Sequence, residues 1–435
     1  MAALAGGGAG TRPRSRAQII VAVGRTSHDL EYLAAWNLLL ERARSRVAFY
    51  AERLPDRPLT SLDQVADLPF TDKDDFRRTY PFGMLAVPLD EVVRVHMSSG
   101  TTGSPVVTGY TSGDIDRWAA CMARVMEAAG AGPSDVVQNA YGYGLFTGGM
   151  GFHLGGERLG CAVVPTSSGV TVRQVKLLRD LGTTIICCTP SYALVLGEAV
   201  AASGGPGGLR LRAGFFGAEP WSDGMRGHIE AALGLEAFDI YGLTEAGGPG
   251  VAVECHRHDG LHVFEDHYYV EVVDPAGGRP VPAGEEGELV VTGLRRAASP
   301  VIRYRTRDRT VLLEEPCLCG SPFRRMARLR GRTDDMLIVR GENVFPSQIE
   351  DVICNSDGVS ANYQLVVDRE AGRLDTLEVR VEAAGSGPSD GGTADRLRTR
   401  VRDTMGLDVL VTLLEPGTLA RSEGKARRVI DRREL

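Results

Sequence analysis

Residues 92–111 read VVRVHMSSGTTGSPVVTGYT, and the fold of the chain turns on how this stretch is taken. Its first part alternates apolar and polar residues, which predicts a strand over 92–97. A turn of hydroxyls and glycines follows: Ser98, Ser99, Gly100, Thr101, Thr102 and Gly103. Glycine lets backbone approach a ligand closely, and successive N–H groups in a tight loop form an anion-binding concavity. Serine and threonine add donors for phosphate oxygens. The same residue types also make ordinary solvated hairpin turns, so the surrounding sequence has to decide between the two.

Working outward, 135–140, 161–165, 183–189 and 211–217 are short, apolar and β-rich, and helix-like stretches at 112–130, 171–181 and 191–202 lie between them. Strands that alternate with helices predict parallel strands joined by crossovers, an α/β architecture whose ligands bind beyond the carboxyl ends of strands. The turn at 98–103 is expected at such a place. Upstream, 28–55 has the helical spacing of one or two amphipathic helices. Beyond residue 260 the pattern changes to strands and tight turns, including Asp274–Pro275 and Gly277–Gly278, which predicts a β-rich subdomain over about 260–330. From near Arg332 the order is strand (336–341), helix (347–355), strand (363–368), polar loop (384–393), helix (394–405) and a basic run. The expected organisation is a disordered tail (1–18), a large α/β domain (19–332) and a small, mobile α+β domain (333–435).

With 49 Lys and Arg against 56 Asp and Glu, the formal charge is −7, which argues against nucleic acid or an anionic membrane as partner. No apolar run is long enough to cross a bilayer, and the N-terminus lacks a signal-peptide core. Eight cysteines in 435 residues are too sparse for a disulfide framework, so a reducing, cytoplasmic setting is expected.

Further clusters carry chemistry. DIYGLTEAGGPG (239–250) sets Thr244 and Glu245 in a Gly-rich turn. A carboxylate beside a phosphate loop suits magnesium, which takes oxygen ligands and keeps several waters; taken alone, Glu245 reads as a surface acid. In RYRTRD (303–308), Asp308 ends a strand where it can accept both hydroxyls of a ribose, or close a hairpin ion pair. GRTDDMLIVRGENVFPSQIE (331–350) and Lys425 in RSEGKARRVIDRREL (421–435) complete the series.

In this order and spacing, Ser98 through Glu245, Asp308 and Arg332 to Lys425, the clusters resemble the adenylate-forming superfamily of acyl-CoA synthetases and adenylation domains, and most closely its phenylacetate-CoA ligases. The resemblance covers roughly 28–435 and extends to YPFGMLAVP (80–88), YGYGLFTGGMGFH (141–153), FFGAEPW (215–221) and VFPSQIE (344–350). It implies ATP, Mg2+ and CoA, with an aromatic acid of benzoate, phenylacetate or cinnamate type activated as its adenylate and then passed to the CoA thiol. A carrier protein or an amine as acceptor, or a different small oxyacid, are the alternatives. Relatives suggest a homodimer. By the same resemblance Ser98 to Gly103 would cradle the triphosphate and Glu245 would hold magnesium. Glu219 and Pro220 would flank the adenine, with Asp239, Tyr241 and Gly242 opposite, and Asp308 would hold the ribose. Arg332 would lie by the phosphate, Asp334 would be the hinge, and Lys425 would meet the carboxylate and α-phosphate. Tyr141, Tyr143, Phe146, Phe215 and Ala218 would line the acid pocket. Gly148, Gly149 and Gly242 would leave space there for a ring, and His153 would favour a hydroxy- or amino-substituted benzoate. The chain departs from the superfamily at Pro105–Val106–Val107, where many members have a lysine, and from phenylacetate ligases at TSSGVT (166–171) and Glu342.

Cys255, His262, Cys317 and Cys319 make a closed set of three thiolates and an imidazole, which predicts a structural Zn2+, with His256 or His258 as alternatives to His262. Cys187 and Cys188 read as core packing.

Overall fold

The computed structural model describes residues 16–98, 105–333, 335–340, 342–369, 375–385 and 392–433. They belong to two compact units, Met1–Pro69 and Phe70–Leu435. In the first, α1 (Arg16–Arg46) runs into α2 (Ala48–Ala51). Its apolar stripe, Trp36, Leu39, Leu40, Ala43 and Val47, follows helical spacing, and the Asn37 amide holds Leu59 by its N–H (2.8 Å) and its carbonyl (3.0 Å). The helix begins inside the stretch expected to be a disordered tail.

In the second unit, after α3 (Lys73–Arg78), the strands β1 (Arg94–Met97) and β2 (Val107–Tyr110) pair antiparallel, Arg94 with Tyr110 and Met97 with Val107. This corrects one expectation: the strand that leads into the hydroxyl-and-glycine stretch pairs antiparallel with the strand that follows it, and neither belongs to the parallel sheet. A parallel crossover needs a dozen or more residues, and the connection here is shorter, so only the antiparallel pairing closes. Ser99, Gly100, Thr101, Thr102 and Gly103 lie outside the described residues.

The parallel half follows as α4 (Ser112–Glu127), β3 (Val136–Asn139), α5 (Thr147–Arg158), β4 (Ala162–Val164), α6 (Thr171–Asp180), β5 (Ile185–Cys188), α7 (Pro190–Ala202), β6 (Ala213–Gly217), α8 (Asp223–Leu233) and β7 (Glu236–Leu243). Helix starts are written in the sequence: Thr111, Thr189 and Ser222 each cap the next helix by accepting a backbone N–H, and Pro190 occupies its first turn. The strands are mostly apolar because helices cover both faces, with Gln138 and Asn139 as buried polar exceptions in β3. Phe215 and Cys187 pack with Trp118, Met122 and Phe152 on one face, and Phe216 and Cys188 with Tyr192, Leu196 and Trp221 on the other. The paired cysteines are packing residues.

The chain then adds β8 (Gly248–Glu254), β9 (Leu261–Val263), β10 (Tyr268–Val273), β11 (Glu286–Gly293), β12 (Tyr304–Leu313) and β13 (Arg325–Met326), all antiparallel. The expected β-rich subdomain is not separate. Through β8 and β9 it continues the parallel strands into one eleven-stranded sheet of order β10-β11-β12-β13-β9-β8-β7-β6-β5-β3-β4.

The last part holds a small hairpin, β14 (Leu337–Val339) with β15 (Glu342–Val344), then α9 (Pro346–Cys354), β16 (Val359–Asp368), β17 (Thr376–Ala383), α10 (Thr393–Met405), β18 (Leu410–Leu414) and β19 (Val429–Asp431). Its four strands run β18-β17-β16-β19 over a core of their own that includes Ile349, Leu365, Val379, Leu397 and Val401. The architecture is thus a large N-terminal α/β domain and a small C-terminal α+β domain. Among the described residues, no helix is long and apolar enough to cross a membrane.

Candidate active site

The pairing of β7 with β8 slips in register at Tyr241/Gly242, and the chain then turns over 243–247, with Ala246 donating to Leu243 O and Gly247 to Thr244 O. Only glycine fits the end of this turn. Gly247 has φ +103°, and a Cβ there would stand 1.7 Å from Arg296 Nη1. Thr244 and Glu245 are thereby presented at the turn. Glu245 is 8% exposed, and burial first, then the nearby Glu245 carboxylate, push the Tyr304 phenol well above its ordinary range.

Asp308 is aimed by an irregularity in β12. The β11–β12 register shifts between Glu288 and Val290, and Arg307 takes φ +68°, the kind of kink that redirects a side chain. Asp308 Oδ2 accepts the Tyr241 hydroxyl at 2.6 Å, while Oδ1 lies 3.4 Å from Arg332 Nη1. Arg332 faces Asp308 across an antiparallel backbone bridge, so the two stand opposite each other on neighbouring segments. Burial, with Asp308 beside it, pushes the Tyr241 phenol well above its ordinary range and keeps it a donor. Tyr241, Asp308, Arg332, Glu245 and Tyr304 therefore form one cluster. Tyr304 was quoted within RYRTRD but given no role.

Ser98 closes the neck of the hairpin loop: its N–H donates to Val106 O and its Oγ accepts Val106 N–H, both at 3.0 Å. Its own hydroxyl proton remains to be given to an anion. Asp334, the expected hinge, lies outside the described residues.

Two expected adenine neighbours are otherwise engaged. Asp239 is bonded to Arg328 Nε at 3.1 Å, and burial pushes its carboxyl up to about 6. Glu219 takes Ser191 N–H (2.7 Å) and Ala426 N–H (3.1 Å) on its two oxygens, and burial raises it as well. Both carboxylates are committed to protein partners. Pro220 keeps its place beside Glu219.

The acid-pocket residues divide. Phe215 has no exposed surface and is packed between Phe152 and Phe238, and Tyr141 stacks on Phe152 at 5.4 Å. Gly148, Gly149 and Gly242 do not leave an opening: a Cβ would meet the Tyr141 ring, Gly142 O and Gly248 O at 3.3, 2.6 and 2.3 Å. Their missing side chains admit neighbouring backbone and ring instead. Ala218 is exposed with φ +71°, turning the chain at the end of β6, and Phe146 leaves 51% of its surface open at the start of α5. Tyr143 OH accepts from Asn139 Nδ2 (2.7 Å) and lies 3.1 Å from His153 Nδ1, and His153 Nε2 lies 3.0 Å from Glu157. Burial pushes Tyr143 up to about 12.

Lys425 is exposed on a loop of the small domain that is seated on the large one. A cavity of about 1120 Å³ opens between these domains, lined by Glu219, Pro220, Gly331, Asp335, Arg427 and Arg428 among others. Glu245 and Asp308 are not among its described lining residues.

Away from this cluster, Cys255, His262, Cys317 and Cys319 come together with their ligand atoms all within 4.8 Å. His262 Nδ1 lies 3.1 Å from Phe323 O, which leaves Nε2 turned to Cys319 Sγ at 3.3 Å. His258 is bonded to Glu254 and Glu236, which removes it as an alternative.

The family model for AMP-binding enzymes matches residues 19–297, and that for the AMP-binding enzyme C-terminal domain matches 341–433. The chain is 48% identical to a phenylacetate-coenzyme A ligase of Pseudomonas putida over 93% of its own length and 94% of that protein. It is similar to a solved 2-hydroxyisobutyryl-CoA ligase in the postadenylation state with 2-HIB-AMP, at TM-score 0.89 and 30% identity, covering 94% of this chain and 90% of that one. Against the same ligase with 2-HIB-AMP and CoA in the thioesterification state, the TM-score is 0.70 at 31% identity, over 93% and 90% of the two chains.

Proposed function

The chain belongs to the AMP-binding enzyme family as an AMP-forming acid–CoA ligase that activates an aryl acid, and on that premise we propose that its acid is an arylacetate of the phenylacetate kind. The observation that carries the nucleotide half is the chain Tyr241–Asp308–Arg332 beside Glu245. Asp308 is placed to accept ribose hydroxyls, held by the tyrosine and charge-balanced by the arginine. The acid carboxylate attacks the α-phosphorus, a P–O bond forms and pyrophosphate leaves. The CoA sulfur then attacks the acyl carbon and AMP leaves. Two anions meet in the first step, so charge neutralisation and positioning supply most of the acceleration.

The chain's own contributions are the N–H and hydroxyl donors beginning at Ser98, the Arg332 guanidinium, and the Lys425 ammonium brought by the small domain. One buried carboxylate with a neighbouring hydroxyl suits magnesium shared with phosphate oxygens, so Glu245 and Thr244 would hold it, and it would supply further neutralisation. The likeness to the postadenylation state over the thioesterification state of one relative supports an adenylation posture here.

Phenylacetate is favoured over hydroxy- or aminobenzoates by the Asn139–Tyr143–His153–Glu157 chain. The histidine that was expected to need a polar substituent already has partners on both nitrogens. The four residues at 255, 262, 317 and 319 fit a structural zinc. In a tetrahedron with Zn–S near 2.3 Å the sulfurs stand about 3.8 Å apart, and Cys255 and Cys317 are separated by 3.8 Å. Eight free thiols suit a reducing, cytoplasmic setting.

Exchange of radiolabelled pyrophosphate into ATP, measured across phenylacetate, benzoate, cinnamate, hydroxybenzoate, aminobenzoate and an aliphatic hydroxy acid, tests the reading. Phenylacetate is expected to exchange fastest, with net AMP formation requiring CoA. Exchange with the aliphatic acid alone would overturn it.

A further inference from the structure

The loop around Lys425 touches the large domain through backbone atoms on both sides of the lysine. Thr189 Oγ1 donates to Gly424 O at 3.1 Å, and Ala426 N–H donates to Glu219 Oε2 at 3.1 Å. The other Glu219 oxygen holds Ser191 N–H, so both contacts converge on the first turn of α7. Arg428 adds Nη2 to Ser191 Oγ (3.1 Å) and lies 3.0 Å from Glu350, which in turn accepts Ser222 N–H at 2.9 Å. Farther along α7, Glu198 takes Asn362 Nδ2 at 2.6 Å and Arg421 Nε at 2.8 Å.

Within the loop, Ser422 Oγ lies 3.1 Å from Gly424 O and 3.0 Å from Lys425 O, which fixes the turn itself. Glu219 is aimed by Ala218, a residue with a Cβ held at φ +71°. Backbone held in this region persists only where its surroundings over-determine it, and it concentrates at sites with a task.

We propose that Thr189 and Glu219 are positioning residues that bracket Lys425 at its two neighbouring peptide groups, and that Glu198 is a second latch, so that the first turn of α7 is the seat of the lysine during adenylation only. The inference rests on the adenylation reading above. Its chemistry is suited to release. The contacts are polar, and each is an exchange of protein for water partners worth little net. A seat of this kind positions a charge without fastening a domain. When the small domain turns to admit the CoA thiol, these bonds are given to water and the lysine leaves with them.

The test separates the half-reactions. In Thr189→Val, pyrophosphate exchange with phenylacetate is expected to fall about tenfold. Thioester formation from supplied phenylacetyl-adenylate and CoA is expected to stay within about twofold of the unaltered protein. Thr189→Ser keeps the hydroxyl and restores exchange. Glu198→Gln, at an exposed position that does not cap a helix, gives the same split with a fall of about threefold, which keeps the test open if Thr189→Val folds poorly. Unchanged exchange in both variants, or an equal loss in both half-reactions, overturns the seat. Absence of exchange in the unaltered protein with every aryl acid would instead reject the reading on which it rests.

Discussion

The turn that presents Glu245 and the loop that presents Lys425, which would serve the same phosphates on the proposed reading, are built in opposite ways. At the turn, backbone presses on backbone: a Cβ on Gly242 would meet Gly248 O at 2.3 Å, and one on Gly247 would meet Arg296 Nη1 at 1.7 Å. Arg296 is itself pinned, by Thr108, Gly109 and Ser299 and over the Tyr110 ring. The Lys425 loop is close to the large domain at Glu423, whose carboxylate a Cβ on Gly169 would meet at 2.7 Å, but it is open at its own glycine. It rests on hydrogen bonds from Thr189 and to Glu219, and nothing within 4 Å would meet a Cβ at Gly424. One half of the site is therefore fixed by shape and the other is held by exchangeable polar contacts. That is the division expected of a centre that runs two reactions with one set of fixed acids and one removable cation.

The sharpest way to break this contrast is Lys425→Ala. If the lysine serves only the first step, adenylation falls by about a hundred- to a thousandfold, the usual cost of removing one group that stabilises transition-state charge. Thioester formation from supplied adenylate changes little. Rapid-quench measurement of the two steps checks it, and a parallel loss in both would mean that the lysine is not removable.

Much of this was legible in the sequence. The strands from β3 to β6 and the helices α4, α6 and α7 follow from apolar runs and caps, and the acid at 245 from its place at a turn; α5 carries no such signal, and Asp308, expected to end a strand, lies inside β12 at its kink. The hairpin at 94–110 was misread because an apolar run looks alike in parallel and antiparallel strands, and connection length decides between them. β17, TLEVRVEA, alternates cleanly, yet the expected order runs from the strand at 363–368 to the loop at 384–393 without it. Thr189 carried only a capping signal, Thr-Pro-Ser before a helix, and nothing local says that its hydroxyl also reaches Gly424, 235 positions away. The bonds of the Asp239 and Glu219 carboxylates were illegible for the same reason: their partners, Arg328 and Ala426, are distant in sequence.

Gly247→Ala probes the fixed half. It sets a methyl against Arg296 at a positive φ, so the combined strain and overpacking should cost about 3 kcal/mol or more of stability. Thermal unfolding and chemical denaturation read that loss directly. Gly424→Ala, placed in the open half, is expected to cost under about 1 kcal/mol. Equal losses in the two would erase the distinction between a packed and a released half.

The smallest effect concerns how far the fixed half extends. The residues at 255, 262, 317 and 319 tie the β8–β9 connection, β9 itself and the turn before β13, the strands through which the antiparallel part of the sheet joins the parallel part. Cys319 is the least buried of the set, yet its sulfur lies 3.3 Å from His262 Nε2 and accepts Ser321 N–H at 3.4 Å. Protein purified without chelator should carry one zinc per chain, since three thiolates and one imidazole make a closed tetrahedral set. Cys319→Ser replaces one thiolate with a poorer ligand and keeps the other ligands, so zinc content should fall. The melting temperature should then drop by roughly 1–2 °C, as for a loss of about 1–2 kcal/mol in a chain of this size. Pyrophosphate exchange below that transition should be little changed, because Glu245 and Asp308 stand beside Tyr304 and Tyr241 and not beside the cysteines. A variant that melts as the parent does, from a parent without zinc, would confine the rigid half to the turn and strand that carry those two acids.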